Sequence, residues 1–149
     1  MPVVSATGRL DRKAFLYLQL IGVVVMTDVL ANRRILVVED ESLVAMLLET
    51  ILEDLGCSIV GPEGSVSGGL RAAQSAPLDA ALLDVNVAGE LVFPIAEALS
   101  KRAIPFVFST GYGEHGLPEK WRGYTTIQKP FTEIAVRDAL MRVLSQLTH

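Results

Sequence analysis

The sequence predicts an α/β fold in which five parallel strands form a doubly wound sheet of order 2-1-3-4-5. From residue 33 onwards, short apolar runs alternate with segments whose apolar residues recur at helical spacing, which is the pattern of consecutive βα units. Glycine and proline lie between several of these segments, as expected at turns. Because crossovers between parallel strands are right-handed, this alternation favours the doubly wound sheet and makes strands one and three neighbours.

The first strand is predicted over residues 34–38, and the helix after it over 42–55. A second strand is predicted near 57–61, followed by a helix over 67–76 with Ser67 as the candidate N-cap. The apolar stripe of the first helix consists of Leu43, Leu47, Ile51 and Leu55. We expect this face of the helix to pack on the sheet.

The third strand is predicted over 79–83, with a loop from Asp84 to Gly89 after it. The following helix, over 90–101, tolerates Pro94 only if that residue lies in the first turn. The start of this helix is therefore fixed close to Pro94.

The fourth strand is predicted over 105–109, and the segment 111–123 after it is rich in glycine. A fourth helix in that segment is therefore expected to be short and mobile. A fifth strand near 124–128 and a fifth helix starting after Thr132 complete the fold. The apolar stripe of the last helix consists of Ile134, Leu140, Val143, Leu144 and Leu147.

The composition of the 149-residue chain indicates one domain, predicted over 33–149, preceded by an extension over 1–32 of uncertain role. The net charge of −4, without a cluster of basic residues, argues against binding to nucleic acid. The single cysteine, Cys57, excludes an internal disulfide and fits a cytoplasmic protein. We expect this thiol to be buried in a strand.

The extension contains an apolar stretch over 15–26, which is shorter than the roughly 20 residues that a membrane span needs. No membrane span is therefore predicted. Two interpretations stay open: the stretch is an added helix or strand that packs on the domain or on a second copy, or Met26 is the native start and residues 1–25 come from an upstream start.

Polar residues stand at the C-terminal ends of four predicted strands, namely Glu39 and Asp40, Asp84, Thr110, and Lys129. Parallel strands bring these ends to one edge of the sheet, where open α/β sheets place their sites. Clustered carboxylates repel one another, and a hard cation such as Mg²⁺, which prefers oxygen ligands, removes that penalty. The arrangement predicts a magnesium-assisted phosphoryl acceptor.

Each residue then has an expected role. Asp40 and Asp84 are the candidate direct metal ligands, and Glu39 acts directly or through a water molecule. Asp84 is also the candidate nucleophile, because carboxylates form acyl phosphates. Lys129 supplies positive charge and Thr110 a hydroxyl donor for the phosphoryl oxygens.

These residues give the chain a family resemblance, carried by Val37-Val38-Glu39-Asp40-Glu41, Leu82-Leu83-Asp84-Val85-Asn86, Ser109-Thr110-Gly111 and Lys129-Pro130-Phe131. From about Arg34 to the C-terminus the chain resembles the receiver domain of two-component response regulators, a flavodoxin-like fold of the chemotaxis-regulator type. The resemblance implies that Asp84 is the phospho-acceptor and that Asp40 binds Mg²⁺ or Mn²⁺. It also implies that the backbone carbonyl of Asn86 is a metal ligand.

The run Phe108-Ser109-Thr110-Gly111-Tyr112 resembles more specifically an alphaproteobacterial receiver subgroup with Phe-x-Thr-Gly and a bulky residue. That resemblance implies a histidine kinase of the HWE or HisKA2 type as partner and a poorly formed fourth helix. Two positions depart from the usual receiver pattern. Ala88 replaces a proline, so a looser loop is expected, and Thr126 replaces an aromatic switch residue. Tyr112 is a candidate to cover the phosphorylated site instead.

The predicted function is that of a stand-alone receiver that signals through altered binding to a downstream protein or a second copy, without conventional enzymatic turnover. A phosphate sink without output is one alternative. An aspartyl-phosphate phosphohydrolase is another, although Asn86 stands where that class has its general acid. A flavodoxin-like cofactor binder is disfavoured, because Glu39 and Asp40 would repel a phosphate group.

Overall fold

The computed structural model describes Lys13 and residues 29–146. The apolar stretch 15–26, the start at Met26 and Leu147 lie outside the described residues. The strands of the described chain are β1 (Arg34–Val38), β2 (Ser58–Glu63), β3 (Ala80–Asp84), β4 (Asn86–Val87), β5 (Glu90–Leu91), β6 (Phe106–Thr110) and β7 (Thr126–Gln128). The α-helices between residues 34 and 146 are α1 (Ser42–Asp54), α2 (Val66–Ser75), α3 (Phe93–Lys101) and α4 (Glu133–Ser145).

The main sheet has five strands in the order β2-β1-β3-β6-β7, and every neighbouring pair is parallel. The short antiparallel pair β4–β5 forms a separate hairpin. Without that hairpin, the order is the predicted 2-1-3-4-5, so the predicted doubly wound α/β fold is confirmed. No helix among the described residues is long and apolar enough to cross a membrane.

Alternate residues of the central strands face two hydrophobic layers, as the period of a strand requires. On one face Val37, Leu82 and Val107 pack with residues of α1 and α4. On the other face Leu83 and Phe108 pack with residues of α2 and α3. Both faces of the parallel sheet are thus covered by helices, the arrangement in which such sheets are stable.

The predicted apolar stripes of two helices were wrong in part. In α1, Leu43 is 81% exposed and Leu47 is 45% exposed, whereas the buried face consists of Ala45, Leu48, Ile51 and Leu52. In α4, Ile134 is 60% exposed, although Leu140, Val143 and Leu144 are buried as predicted. Apolar residues surround most of α1, so that spacing alone did not identify the face that contacts the sheet.

Local capping also corrects the sequence prediction at α2. The N-cap is Ser65 rather than Ser67, because the Ser65 hydroxyl accepts a hydrogen bond from the backbone N–H of Gly68 at 3.1 Å. At α4 the predicted cap is confirmed, since the Thr132 hydroxyl accepts from the N–H of Ala135. Strand β2 also continues to Glu63, beyond its predicted end at residue 61.

The sequence predicted a short fourth helix in the segment 111–123. The structure has two 3₁₀ turns there, Glu114–Gly116 and Glu119–Trp121. Leu117 and Trp121 are buried and anchor this segment on the sheet. Trp121 stacks on Phe93 with ring centroids 5.8 Å apart. The expected short helix is thus confirmed in its length but takes a 3₁₀ form.

Candidate functional site

The sheet brings the predicted polar residues to one edge. Val38 of β1 pairs with Leu83 of β3, so Glu39 and Asp84 follow at the same level on neighbouring strands. Asp84 in turn pairs with Ser109 of β6. The backbone N–H of Lys129 donates to the carbonyl of Thr110 at 3.0 Å, which places Lys129 at the end of the adjacent strand.

Lys129 is the positive charge at the centre of this edge. Its Nζ lies 2.9 Å from Oε2 of Glu39 and 3.2 Å from Oδ2 of Asp84. A third carboxylate oxygen, Oε1 of Glu41, lies 3.9 Å away. The ammonium group therefore joins the carboxylates contributed by β1 and β3.

Glu39 is the most deeply buried of these carboxylates, with 3% of its surface exposed. Its Oε1 accepts a hydrogen bond from the backbone N–H of Glu41 at 3.1 Å, while Oε2 faces Lys129. Its backbone N–H donates to the carbonyl of Glu63 at 2.9 Å, which fixes the end of β1 against β2. Both carboxylate oxygens of Glu39 are thereby held in place.

Asp84 is buried, with 6% of its surface exposed. Burial, together with the charge of Glu39, raises the pKa of Asp84 from 3.8 to about 6, against the opposing effect of Lys129. For Lys129, burial alone would lower the pKa of the ammonium, but the hydrogen bond to Glu39 and the charge of Asp84 raise it. One ammonium thus only partly offsets two buried carboxylates.

The carboxylates also meet the requirements of a cation site. Carboxylate oxygens of Glu39, Asp40 and Asp84 lie within 4.8 Å of one another. Asp40 is exposed, so the site opens to solvent on that side. Three hard oxygen donors at this separation, with room for water, fit the coordination that Mg²⁺ prefers. The residues present therefore fit the predicted metal.

Asn86 belongs to the β4–β5 hairpin that follows Asp84. Its backbone N–H donates to Oδ1 of Asp84 at 3.4 Å, and its side-chain oxygen accepts from the N–H of Gly89 at 3.0 Å. Ala88 and Gly89 both have positive φ, at 51° and 84°, which is typical of a tight two-residue hairpin turn. In this conformation the turn around Ala88 is closed by the β4–β5 pairing and by the bond from Gly89 to Asn86, and the looser loop expected from Ala88 stays a prediction.

Thr110 lies at the edge of the site but is hydrogen-bonded to the following loop. Its hydroxyl accepts the backbone N–H of Tyr112 at 3.0 Å, and the residue is 5% exposed. The Tyr112 side chain is 85% exposed, so it does not cover the carboxylates in this conformation. Of the predicted site residues, Glu39, Asp40, Asp84 and Lys129 are thus brought together, whereas the hydroxyl of Thr110 bonds elsewhere.

One residue of this edge was missed in the sequence analysis. Ser109 is 2% exposed and lies between β3 and β7, in register with Asp84 and Ile127. The signal available in the sequence was that Ser109 is a polar residue at the end of the apolar run 105–108, directly before Thr110. Because successive residues of a strand face opposite sides, Ser109 and Thr110 do not share a face of the sheet. Ser109 lies on the same face of the sheet as Asp84, because the two residues are in register on neighbouring strands.

Comparison with known proteins places the chain among receivers, although no family model matches it. SdrG from Sphingomonas melonis Fr1 is 42% identical over 77% of this chain and 98% of its own, with a TM-score of 0.68. A BeF₃-activated conformation of SdrG matches with 44% identity over 76% of this chain and 98% of that one, and a TM-score of 0.66.

Two other matches are more distant. The transcriptional regulatory protein PdtaR from Mycobacterium tuberculosis is 30% identical over 109 residues, which are 70% of this chain and 53% of PdtaR. The chain thus spans about half the length of the curated relatives it matches. The receiver domain of sensor histidine kinase PA1611 from Pseudomonas aeruginosa PAO1, with magnesium in its active-site cleft, has a TM-score of 0.67. It covers 77% of this chain and 99% of its own, but at 21% identity it supports the fold alone.

Proposed function

Because the chain belongs to the receiver family of response regulators, we propose that it accepts a phosphoryl group on Asp84 from a histidine kinase or a phosphotransfer protein. The observation that favours Asp84 is its position. It is a buried carboxylate with a raised pKa, bonded to Lys129 and flanked by Glu39 and Asp40. The predicted domain over 33–149 is proposed to be this receiver.

In the proposed step, a carboxylate oxygen of Asp84 attacks the phosphorus atom of a phosphohistidine. An O–P bond forms while the P–N bond breaks, and the imidazole nitrogen keeps the electron pair and takes up a proton. Lys129, already 3.2 Å from Asp84, faces the developing charge on the phosphoryl oxygens. Its contact with Glu39 holds the ammonium group in position before the donor arrives.

Asp40, Asp84 and the backbone carbonyl of Asn86, with Glu39 directly or through water, would hold Mg²⁺ or Mn²⁺. When bound, the metal supplies positive charge to the phosphoryl oxygens. The spacing of the carboxylates supports this ligand set, and the magnesium ion bound by the PA1611 receiver is consistent with it. Asn86 contributes through its backbone, since its side-chain oxygen accepts from Gly89.

The proposed output is altered binding. A phosphoryl group on Asp84 offers acceptor oxygens to the Thr110 hydroxyl, which would then leave the N–H of Tyr112. The loop after Thr110 would change conformation and present a different surface to a downstream protein or a second copy. We propose that this receiver acts in the cytoplasm and pairs with a kinase of the HWE or HisKA2 type, which the run Phe108-Ser109-Thr110-Gly111-Tyr112 supports. It catalyses its own phosphorylation and dephosphorylation only.

The test is the intact mass after incubation with Mg²⁺ and acetyl phosphate, for the wild type, Asp84→Asn and Asp54→Asn. We expect a labile gain of one phosphoryl group in the wild type and in Asp54→Asn, whose carboxylate is exposed at the end of α1. Asp84→Asn should gain none. A gain that persists in Asp84→Asn would place the acceptor elsewhere, and no gain in the wild type with any donor would contradict the proposed function.

A further inference from the structure

Four polar side chains belong to the carboxyl edge of the sheet, two within strands and two directly after strands. In register, Leu82 pairs with Val107, and both face the layer formed with α1 and α4. Two residues later along these strands stand Asp84 and Ser109, which therefore face the same way. Glu39 and Lys129 come directly after β1 and β7, and Lys129 Nζ contacts the carboxylates of both Glu39 and Asp84.

Lys129 must cross β6 to make its contacts. It follows β7, whereas Asp84 belongs to β3, and β6 lies between them. Neighbouring strands are about 4.8 Å apart, so the Lys129 and Asp84 side chains together bridge a separation of about 10 Å between the two backbones. The row that they cross on β6 contains Ser109, which is in register with Asp84 on one side and Ile127 on the other.

Two buried polar atoms of this edge have no hydrogen-bond partner among the described residues, and of these Glu39 Oε2 is ion-paired with Lys129 whereas the Ser109 hydroxyl is not. Ser109 is 2% exposed, and Oγ has no hydrogen-bond partner among the described residues. A buried hydroxyl without a partner costs the folded state free energy, which an alanine at this position would avoid. Ser109 lies on the strand between Asp84 and Lys129. The presence of a serine here is explained if its hydroxyl gains a partner when Asp84 is phosphorylated.

We propose that Ser109 is a positioning residue for Lys129. Its hydroxyl accepts a hydrogen bond from the ammonium group when a phosphoryl group on Asp84 draws Lys129 away from Glu39. An ammonium group has three N–H donors, and Lys129 now directs them to Glu39 and Asp84, with Glu41 more distant. Ser109 supplies a replacement acceptor along the path of the side chain. This inference rests on the proposed function.

The experiment compares the rate of phosphoryl gain from acetyl phosphate, measured by intact mass, in the wild type, Ser109→Ala, Ser109→Thr and Ser75→Ala. We expect Ser109→Ala to be about tenfold slower, as for the loss of one hydrogen bond to a charged group. Ser109→Thr keeps the hydroxyl and should stay close to the wild type. Ser75→Ala removes a hydroxyl that bonds Arg71 within α2, away from the site, and should not change the rate.

Two further measurements separate positioning from a structural role. The melting temperature of unphosphorylated Ser109→Ala should equal or exceed that of the wild type, because the hydroxyl removed has no partner in that state. In a Lys129→Ala background, Ser109→Ala should cause no additional loss of rate, since the two residues act through one contact. A lower melting temperature with an unchanged rate would mean a structural hydroxyl and overturn the inference, as would independent effects of the two substitutions.

The two hypotheses fail in different ways. If the wild type gains no phosphoryl group, the proposed function fails and the role of Ser109 fails with it. If the wild type reacts and Ser109→Ala reacts at the same rate, only the role of Ser109 is refuted.

Discussion

Asp84→Asn is expected to stabilise the protein at neutral pH, although it removes the proposed phospho-acceptor. Burial and the charge of Glu39 raise the pKa of Asp84 from 3.8 to about 6. Because the folded-state pKa lies above the unfolded value, the folded state favours the protonated carboxyl group. The resulting stability is fully present below pH 3.8 and is lost as the pH rises through about 6.

The magnitude follows from the size of the shift. A pKa change of about two units corresponds to about 3 kcal/mol, since each unit is about 1.4 kcal/mol. Asparagine approximates the neutral acid, so Asp84→Asn should raise the free energy of unfolding by about 3 kcal/mol above pH 6 and by almost nothing near pH 4. The attraction to Lys129 is already included, because it opposes the rise in pKa.

The assay is urea denaturation of the wild type and Asp84→Asn with a chelator present, across this pH range. Asp54→Asn serves as the control, because its exposed carboxylate is expected to change the stability little at any pH. The reasoning would be refuted if the two Asp variants behaved alike. It would also be refuted if the gain from Asp84→Asn did not depend on pH.

Three further predictions concern the same site and the segment beside it. Lys129→Met should lower the free energy of unfolding by about 3 kcal/mol at neutral pH, as measured in urea, because Glu39 and Asp84 lose a buried partner. Mg²⁺ at about 100 times its dissociation constant should stabilise the wild type by about 2.7 kcal/mol in thermal unfolding, but should stabilise Asp40→Asn much less. Trp121→Ala should cost about 3–5 kcal/mol, whereas the exposed Tyr112→Ala should leave the stability nearly unchanged.

The fold could be predicted from the sequence because its signals are local. The runs that became β1, β3 and β6 are mainly apolar, and the parallel order placed the polar residues that end or follow these strands and β7 at one edge. Glu39, Asp40, Asp84 and Lys129 meet as expected for that reason. Their chemical roles remain predictions.

The errors arose where tertiary contacts decide between similar local patterns. Leu43 and Leu47 have helical spacing, but the sheet contacts the neighbouring face with Ala45 and Leu48. Ser65 and Ser67 are both good capping residues, and the helix start at Val66 selects the first. The hairpin after Asp84 depends on positive φ at Ala88, which its side chain gives no reason to expect.

The segment after Thr110 links the carboxylates to the surface. The segment is held at its start by Thr110, whose hydroxyl accepts a hydrogen bond from the N–H of Tyr112. Further along it is held by Leu117 and Trp121, because both side chains are buried in the core. Only residues 111–116 lie between Thr110 and Leu117. If the Thr110 hydroxyl turns towards a phosphoryl group, the N–H of Tyr112 loses its partner and these residues must find another arrangement. Because Leu117 and Trp121 hold the rest of the segment, we expect the change to stay local, with the exposed Tyr112 ring moving most.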